Sequence, residues 1–567
     1  MPGLIVACAR DAAHAVGASR LRACCVRLAP SNARAGEPLV WERAGMTVAL
    51  VDPSPGARIE DAGAYVGVLT TPAAGWWRTG SPPPDGLYAL CRHDDDGVEL
   101  LTDAVATHTV WYAKTDDWFF ASTSQRALVG LLGDFRLNRR AVSWMLSSGS
   151  LGPEAAWDAR LERLPGDAVL RLDRHTWEVA VQRRPVVFQT DQASRAGHVS
   201  ALRAALDESF AALDIDDAEW VVPLSGGGDS RGLLLFLVRA GHKPKCLTYG
   251  SAASLLDPHG DAMVARAVSE ALGLEHAFYP LEEREGAEAA TLRLYAEASE
   301  ARVDHIAAYT DGLDLWRRLK ESHVRGALRG DQAFGLWPVF SESDARISEG
   351  GVLVSDYSPR HPIRGLDLAP QTWPDELRLR AGESDDGYRD RIYHEHRLPV
   401  IMAALNQIKT AYVDVVSPLQ TRRIIDAART MPDDLRTEKR GFRELVTSLG
   451  PPVPFAGHDS TGSGEAFLAR PRTLEAMCDA LATPAAEHAI GAENIAMILS
   501  RLTSAPPSHE PRRRVGRTLK RVLPKVLIRA AKNARGAPPL SAQRLAFRAY
   551  LAATIADLLA QDAASLR

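Results

Sequence analysis

The stretch VVPLSGGGDSRGLLL (221–235) decides the fold class of this chain. A hydrophobic strand ends at Leu224, a turn of one serine and three glycines follows, and Asp229 and Ser230 open a helix. Glycines let backbone N–H groups approach an oxyanion closely, and the start of a helix favours negative charge. The stretch therefore predicts a phosphate-binding loop between a strand and a helix.

The residues inside this loop indicate which phosphate chemistry to expect. The Walker A pattern requires Gly-Lys-Ser/Thr after its spacer, and here Asp229-Ser230-Arg231 stand instead, so γ-phosphate transfer is not expected. An acid within a phosphate loop implies a bridging Mg²⁺, because two like charges otherwise repel each other. The hydroxyls of Ser225 and Ser230 add hydrogen-bond donors for a phosphate. The alternative interpretation is an ordinary glycine-rich turn.

Strands and helices alternate around the loop, whereas the first part of the chain consists of short β-rich runs. HVSALRAALDESFAALD and GDAMVARAVSEALG have helical periodicity, and KCLTYG is a strand between helices, so a doubly wound parallel sheet is expected. Runs such as GLIVACA, MTVALVD and TVWYAKTDDWFFAST predict an antiparallel first half. We expect three parts, at residues 1–187, 198–510 and 511–567.

The overall composition excludes several classes of protein. Among 567 residues the formal charge is −4, which does not favour nucleic-acid binding. No run of about 18 apolar residues and no basic signal segment is found, so we expect a cytoplasmic protein. The cysteines, which form no C-x-x-C pair and predict reduced thiols, are Cys8, Cys24, Cys25, Cys91, Cys246 and Cys478.

The loop SGGGDS resembles the SGGxDS pyrophosphate loop of the N-type ATP pyrophosphatases, and the order of motifs over about 195–455 resembles the asparagine synthetase family. The resemblance implies an inactive, glutaminase-like (Ntn-type) β-sandwich, an adenine nucleotide α-hydrolase-like domain with a helical C-terminal extension, and ATP with Mg²⁺ as cofactors. The residues it assigns to ATP binding are Leu224, Ser225, Gly226, Gly227, Gly228, Asp229, Ser230, Thr248, Tyr249, Gly250 and Gly330.

Two later segments complete the resemblance. RGDQAFG (329–335) is similar to the family's S/G-D-E-x-F-G segment, which implies that Asp331 joins Asp229 as a metal ligand. VVSPLQTRRIIDAARTMPDDLRTEKRGFRELV (415–446) is similar to its V-P-F-L-D and G-K-x-x-L-R region, which implies catalytic roles for Lys439 and Arg443.

Each of these assignments has a structural alternative. Asp331 could be an acid in a surface turn, and Lys439 could belong to a solvated charged stretch. Asp261 could cap the helix that follows it instead of binding a ligand. Thr248, Tyr249 and Gly250 end a strand where open parallel sheets bind nucleotides, but they could merely pack.

The chain also departs from the family. It begins Met1-Pro2-Gly3, so the family's N-terminal nucleophilic Cys is missing, and Cys8 lies within an apolar run without a free α-amine. We expect a first domain without glutaminase activity and no ammonia from glutamine. Leu328 and Gln420 replace family acids, which leaves the proton acceptor open; Glu438, Asp304 and His305 are candidates by residue type.

The resemblance implies a reaction in two steps. A carboxylate attacks the α-phosphorus of ATP to give an acyl-adenylate and pyrophosphate, and an amine then attacks the acyl carbon. Without an ammonia source, intramolecular ring closure is favoured. Within the family the chain is most similar to the lasso peptide macrolactam synthetases, which implies a precursor peptide as substrate, with a leader-binding protein and a leader peptidase as partners. Alternatives are β-lactam synthetase-like closure of a small amino acid, ammonia-dependent asparagine synthesis, and a nonenzymatic nucleotide-binding scaffold.

Three segments stand outside these motifs. Residues 511–535 carry ten Lys and Arg and no acid, a pattern that fits contact with an anionic membrane surface, binding to an acidic partner, or packing on the synthetase domain. Residues 341–395 are expected to form a solvated insertion, and GHDSTGSG (457–464) a mobile loop.

Overall fold

Two antiparallel six-stranded sheets make up the first part of the chain. The computed structural model describes residues 3–43, 45–52, 58–60, 62–71, 74–283, 285–504 and 539–566. The strands of this part are β1 (Gly3–Ala9), β2 (Leu39–Arg43), β3 (Met46–Val51), β4 (Arg58–Glu60), β5 (Gly63–Thr71), β6 (Asp85–His93), β7 (Gly97–Thr102), β8 (Trp111–Lys114), β9 (Trp118–Ser122), β10 (Glu162–Arg163), β11 (Ala168–Asp173) and β12 (Glu178–Arg183). The sheet orders are β10-β8-β9-β1-β3-β2 and β12-β11-β7-β6-β5-β4, which confirms the antiparallel prediction.

The central strand β1 is buried on both faces. Leu4, Val6 and Cys8 point into the core between the two sheets, whereas Ile5 and Ala7 point to the opposite side. That side is covered by helices α1 (Ala18–Leu28), α2 (Gln125–Leu132) and α3 (Arg139–Ser148). Because successive strand residues face opposite sides, the continuous apolar run GLIVACA is what a strand between two cores requires.

A five-stranded parallel sheet forms the second part, in the order β15-β14-β13-β16-β17. Its strands are β13 (Trp220–Pro223), β14 (Lys245–Gly250), β15 (His276–Pro280), β16 (Gly326–Leu328) and β17 (Asp414–Val416). The helices around it are α4 (Arg195–Ala211), α5 (Gly228–Arg239), α6 (Asp261–Ala271), α7 (Glu288–Ser299) and α8 (Asp314–Glu321). Apolar clusters lie on both faces of the sheet, so the predicted mixed α/β fold with a parallel sheet is confirmed.

The remaining helices lie between and after these strands. They are α9 (Glu342–Ser348), α10 (Asp385–Ile392), a π-helix (Tyr393–Met402), α11 (Ala403–Thr410), α12 (Arg422–Thr430), α13 (Asp433–Arg436), α14 (Arg440–Leu449), α15 (Glu465–Leu468), α16 (Pro471–Leu481), α17 (Pro484–Ile490), α18 (Ala492–Ser504) and α19 (Ala542–Ser565). Pro399 lies within the π-helix, where its missing N–H removes one regular helical hydrogen bond.

The prediction of a solvated insertion at 341–395 is wrong. Tyr357, Ile363 and Trp373 belong to the largest apolar cluster of the described residues. Several charged side chains of this segment are buried in pairs, as in Arg346 with Asp356 (2.7 Å), whereas others, such as Arg378, stay exposed. A polar composition resembles that of a surface loop, but paired charges can be buried together with apolar residues.

The last helix, α19, is part of the core. Its residues Leu551, Ala552 and Leu559 are completely buried. It packs against helices of both the first and the second part of the chain. Among the described residues, none of the helices has the length and apolar character needed to cross a membrane. The basic segment 511–535 lies outside the described residues.

Candidate functional site

A cavity of about 300 Å³ opens at the carboxyl end of the parallel sheet, where open α/β sheets bind ligands. Its walls are formed by residues from the ends of β13, β14 and β16, the start of α5, and a loop after α14. The lining residues are Pro223, Leu224, Ser225, Asp229, Ser230, Thr248, Tyr249, Asp261, Arg329, Gly330, Asp331, Asp459, Ser460 and Thr461. Most of the predicted ATP-binding residues, and both predicted metal ligands, are therefore brought together.

The predicted phosphate loop joins β13 to α5, with Gly227 as the N-cap of that helix. Hydrogen bonds within the loop use several of its N–H groups. The Ser225 N–H donates to Ser230 Oγ (3.1 Å), and the Gly227 N–H donates to Ser225 Oγ (3.3 Å). The two serine hydroxyls lie 2.9 Å apart.

These bonds change which donors of the loop can meet an anion. The Gly226 N–H is also used, because it donates to the Asp261 carboxylate (3.1 Å). The start of α5 has no side-chain cap, so the N–H groups of Gly228, Asp229 and Ser230 are the helix-start donors that face a ligand. The N–H groups of Gly226 and Gly227 are thus used inside the protein, which leaves those of the first turn of α5 to bind an anion.

Gly330 brings the second predicted metal ligand to this helix start. A Cβ atom added at Gly330 would lie 2.7 Å from the Ser230 backbone nitrogen and 2.8 Å from the Asp229 carbonyl carbon. Any other residue would therefore push the two segments apart. The close approach brings the backbone next to Asp331 into contact with that of Asp229.

Asp331 lies in a network of buried polar groups and is 8% exposed. Its carboxylate accepts hydrogen bonds from Arg329 (3.2 Å), Asn406 (3.0 Å) and Ser417 (3.1 Å). Burial alone raises the pKa of Asp331, but the charge of Arg329 and the hydrogen bonds from Arg329 and Asn406 hold it below the usual value. The carboxylate is therefore ionised, as a metal ligand must be.

Asp229 is paired with the predicted catalytic lysine. The Lys439 ammonium group donates to Asp229 Oδ2, and the two side chains are 15% and 36% exposed. Glu438 and Lys439 both have φ of 56°, a left-handed conformation that costs energy in residues with a Cβ. The turn before α14 thus holds Lys439 at the start of α5 at a conformational cost.

Arg443, the second predicted catalytic residue, does not line the cavity. Its guanidinium lies 5.9 Å from the centre of the Phe455 ring. Arg231 contacts the same ring at 4.2 Å. Arg443 thus contacts the loop that follows α14.

The three predicted residues at the end of β14 have different surroundings. Thr248 Oγ1 donates to the Leu224 carbonyl (2.6 Å) and so joins β14 to the phosphate loop. Tyr249 lines the cavity, and its ring meets Trp316 edge to face at 6.2 Å. Gly250 has no room for a side chain, because a Cβ there would lie 2.5 Å from Ser460.

Asp261 neither caps its own helix nor lies free in the cavity. It is the first residue of α6, and its carboxylate accepts the backbone N–H groups of Gly226 and Ser460. Burial and the nearby charge of Asp459 raise its pKa, and the two N–H groups oppose that rise. Asp261 therefore bridges the phosphate loop and the loop after α14.

The candidate proton acceptors are dispersed. Asp304 forms a buried ion pair with Arg548 of α19 (2.6 Å), and its neighbour His305 is close to it (3.6 Å). Asp304 and His305 do not line the cavity. Leu328 and Gln420, which stand where the family has other residues, are buried and have no acidic group that could accept a proton. Glu438, beside Lys439, is the candidate that stays near the site.

Several residues of the site were not predicted. Arg329 lines the cavity and pairs with Asp331, and Asn406 and Ser417 orient that carboxylate. Lys409 is 2% exposed, donates to the Leu405 carbonyl (2.7 Å) and lies 5.6 Å from the Tyr309 ring centre. The adjacency of Arg329 and Asp331 in the sequence was an available signal, whereas the other residues come from distant segments.

The donor set fits Mg²⁺ bound together with a nucleotide. In the described ranges, no three His, Cys, Asp or Glu side chains form a group that could hold a metal ion by themselves. Asp229 and Asp331 are two carboxylates beside one cavity, and Mg²⁺ in nucleotide sites takes one or two carboxylates with phosphate oxygens and waters. The excess of aspartates over basic groups in the lining also requires cations before a triphosphate can enter.

Comparison with known proteins adds one family match. Residues 201–440 match the family model described as asparagine synthase, which supports the asparagine synthetase family for this part of the chain. No curated protein matches the chain.

Two solved structures show a low similarity to this chain. The allosteric regulatory enzyme of purine biosynthesis is 9% identical with a TM-score of 0.22, over 49% of this chain and 64% of that chain. Glutamine phosphoribosylpyrophosphate amidotransferase from B. subtilis, complexed with ADP and GMP, is 9% identical with a TM-score of 0.20, over 49% of this chain and 65% of that chain. The chain thus spans slightly less than two thirds of either structure.

Proposed function

We propose that this protein is an AMP-forming ligase that uses ATP to make an amide bond, and that it closes a ring in a peptide substrate. The observation that carries the proposal is the convergence of the uncapped start of α5, the Lys439–Asp229 pair and Asp331 around one cavity. The family match over 201–440 supports ATP-dependent amide formation in general.

The phosphate loop would bind the β- and γ-phosphates of ATP. The N–H groups of Gly228, Asp229 and Ser230 and the hydroxyl of Ser225 are the donors, and the dipole of α5 adds to their effect. Asp229 and Asp331 would hold Mg²⁺, which neutralises phosphate charge when bound. Donors fixed before the reaction stabilise the departing pyrophosphate without reorganisation.

Bond formation would proceed in two steps. A carboxylate oxygen of the substrate attacks the α-phosphorus, the bond from this phosphorus to the β-phosphate oxygen breaks, and pyrophosphate leaves. The amine nitrogen then attacks the acyl carbon, AMP leaves, and the nitrogen loses a proton. The ammonium group of Lys439 is a fixed cation at the start of α5, suited to stabilise the oxyanion of the second step.

The amine would come from the substrate itself. Cys8, the thiol considered for glutamine cleavage, is completely buried between the two sheets, and burial raises the pKa of its thiol. Attack within one molecule gains effective concentration, which favours ring closure. We propose a precursor peptide as substrate, as in the lasso peptide macrolactam synthetases, with a leader-binding protein and a leader peptidase acting beside it.

The proposal is tested by exchange of labelled pyrophosphate into ATP, with Mg²⁺ and candidate precursor peptides. We expect exchange that depends on the peptide, and a product that mass spectrometry finds lighter by one water than the linear peptide. Exchange with free amino acids alone would contradict the peptide substrate, and nucleotide binding without exchange for any carboxylate would favour the scaffold.

A further inference from the structure

A nine-residue loop after α14 crosses the open side of the proposed nucleotide site. We call residues 453–461 the strap. Asp459, Ser460 and Thr461 of the strap line the cavity. This segment overlaps the glycine-rich stretch whose composition predicted a mobile loop, so its contacts decide whether it belongs to the site.

The strap is hydrogen-bonded to three of the elements around the cavity: the phosphate loop, the start of α6 and the end of β14. The Ala456 N–H donates to the Gly226 carbonyl of the phosphate loop (3.0 Å). The Asp261 N–H at the start of α6 donates to the His458 carbonyl (3.0 Å). At the end of β14, Ser460 Oγ donates to the Tyr249 carbonyl (2.7 Å). The strap thus runs from the phosphate loop to the end of β14, past residues that line the cavity.

Arg231 holds the first residues of the strap. Its Nη1 donates to the Val453 carbonyl (2.6 Å) and its Nη2 to the Pro454 carbonyl (2.8 Å). The guanidinium also lies 4.2 Å from the centre of the Phe455 ring. Arg231 is 3% exposed and is not one of the residues that line the cavity. The planar guanidinium binds two carbonyls and packs on a ring at the same time, which the ammonium group of a lysine cannot do.

Glycines on the facing side show how closely the strap packs. A Cβ added at Gly226 would lie 2.5 Å from Ala456 Cβ, and one at Gly250 would lie 2.5 Å from Ser460 Cβ. Asp261 fixes both sides at once, since its carboxylate accepts N–H groups from Gly226 and from Ser460. The strap and the phosphate loop are therefore held as one unit.

We propose that the strap is a wall of the nucleotide site and that Arg231 is a positioning residue, which acts on ATP binding through the strap. This inference rests on the proposed ATP site and adds a role for the arginine next to Ser230, which nothing else in the mechanism uses. The ligand class is a nucleoside triphosphate with Mg²⁺.

The test compares three variants of the full chain. We expect Arg231→Met to raise the dissociation constant for Mg²⁺ and α,β-methylene-ATP by about tenfold or more, and to speed hydrogen exchange in residues 453–461. Arg231→Lys should recover part of the affinity, because one ammonium group can replace one of the two donors. The matched control is Arg239→Met on the same helix, whose guanidinium pairs with exposed Asp207 (2.9 Å) and whose loss should change neither quantity.

A second variant keeps the test valid if Arg231→Met does not fold. Phe455 is 36% exposed, so Phe455→Leu removes the ring from Arg231 with little effect on the core. It should weaken nucleotide binding in the same direction and raise the KM for ATP more than it lowers kcat.

Two results would overturn the inference. In the first, hydrogen exchange in the strap is faster in Arg231→Met or Phe455→Leu, but the dissociation constant for the nucleotide equals that of the parent. This result would show that the strap is not a wall of the site, and it would leave the proposed ligase function intact. A parent protein that binds no Mg²⁺–nucleotide would overturn both proposals together.

Discussion

Lys439 and Asp229 form an ion pair although 210 positions separate them in the sequence. The pair joins the turn before α14 to the first turn of α5. The proposed catalytic cation and one proposed metal ligand therefore belong to the same small site before any substrate arrives. This pair also means that a substitution of either residue leaves a charge without its partner.

Lys439→Met should slow overall product formation by about 10²-fold or more, because a fixed cation beside the oxyanion is lost. Some pyrophosphate exchange should remain, since the donors at the start of α5 are unchanged. The matched control is Arg440→Met, whose side chain is 49% exposed and pairs with Glu438 (3.4 Å). If Lys439→Met forms cyclic product at the parent rate, Lys439 has no catalytic role.

Asp229→Asn and Asp331→Asn should both abolish turnover, but only the second should weaken the fold. Asp229 is 36% exposed, and solvent screens its pair with Lys439. Asp331 is buried, and its loss leaves Arg329 without a carboxylate, at a cost of about 3–5 kcal/mol of unfolding free energy. Thermal unfolding and the pyrophosphate assay together separate the two effects; equal melting temperatures for both variants would contradict the buried pair.

The Asp331 carboxylate should make the free energy of unfolding depend on pH in the acidic range. The pKa of Asp331 is below that of an unfolded chain, so its contribution is fully present above about pH 4. The contribution is lost as the pH falls through the lower folded pKa, because the proton then binds the folded state too. The difference in melting temperature between parent and Asp331→Asn should therefore shrink below pH 4, and a constant difference down to pH 2 would exclude this linkage.

Lys409→Met should stabilise the protein. Burial and the charge of Arg329 lower the pKa of Lys409 well below its usual value, so the folded state holds it less charged than the unfolded state does. Below about pH 10 the unfolded state takes up a proton that the folded state does not, so the free energy of unfolding decreases as the pH falls. The increase in melting temperature caused by Lys409→Met should thus be larger at pH 6 than at pH 9. The control is Lys245→Met, which should show no such increase because the Lys245 side chain is 58% exposed.

Asp304→Asn should loosen α19. Asp304 accepts from Arg548 Nε (2.6 Å), while Arg548 Nη1 donates to the carbonyls of Leu146 (2.9 Å) and Ser147 (2.8 Å). Removing the buried carboxylate costs about 3–5 kcal/mol and leaves the guanidinium without its anion. Hydrogen exchange over residues 542–565 should speed up relative to Asp557→Asn, an exposed acid of the same helix. Unchanged exchange would contradict the role of this pair.

Local signals in the sequence predicted the elements that carry the site. The strand, glycine turn and helix start around Ser225 follow from short-range propensities, and the apolar run of β1 follows from burial on both faces. These features depend on residues within a few positions of each other, where pattern reasoning is strong. Asp331 is an exception, because its assignment comes from the resemblance of RGDQAFG to a family segment.

The contacts that complete the site depend on tertiary structure. The bond from Arg231 to Val453 spans 222 positions, and that from Asn406 to Asp331 spans 75. Nothing in a single sequence indicates such pairings. The sequence therefore predicts Gly226 as a phosphate donor, although its N–H binds Asp261 in the folded chain. It also predicts a solvated insertion at 341–395, because charges such as those of Arg346 and Asp356 become paired only on folding.

The position of α19 has a consequence for how the chain is made. One continuous apolar cluster includes Ile5 of the first strand, Trp316 of α8 and Leu559 of α19. A ribosome that has not yet released residues up to about 565 therefore leaves this cluster open, with apolar surfaces of both earlier parts in contact with water. Such surfaces bind to one another in growing chains. Growing chains of this protein are therefore expected to associate before α19 is made, and expression at low temperature should raise the soluble yield.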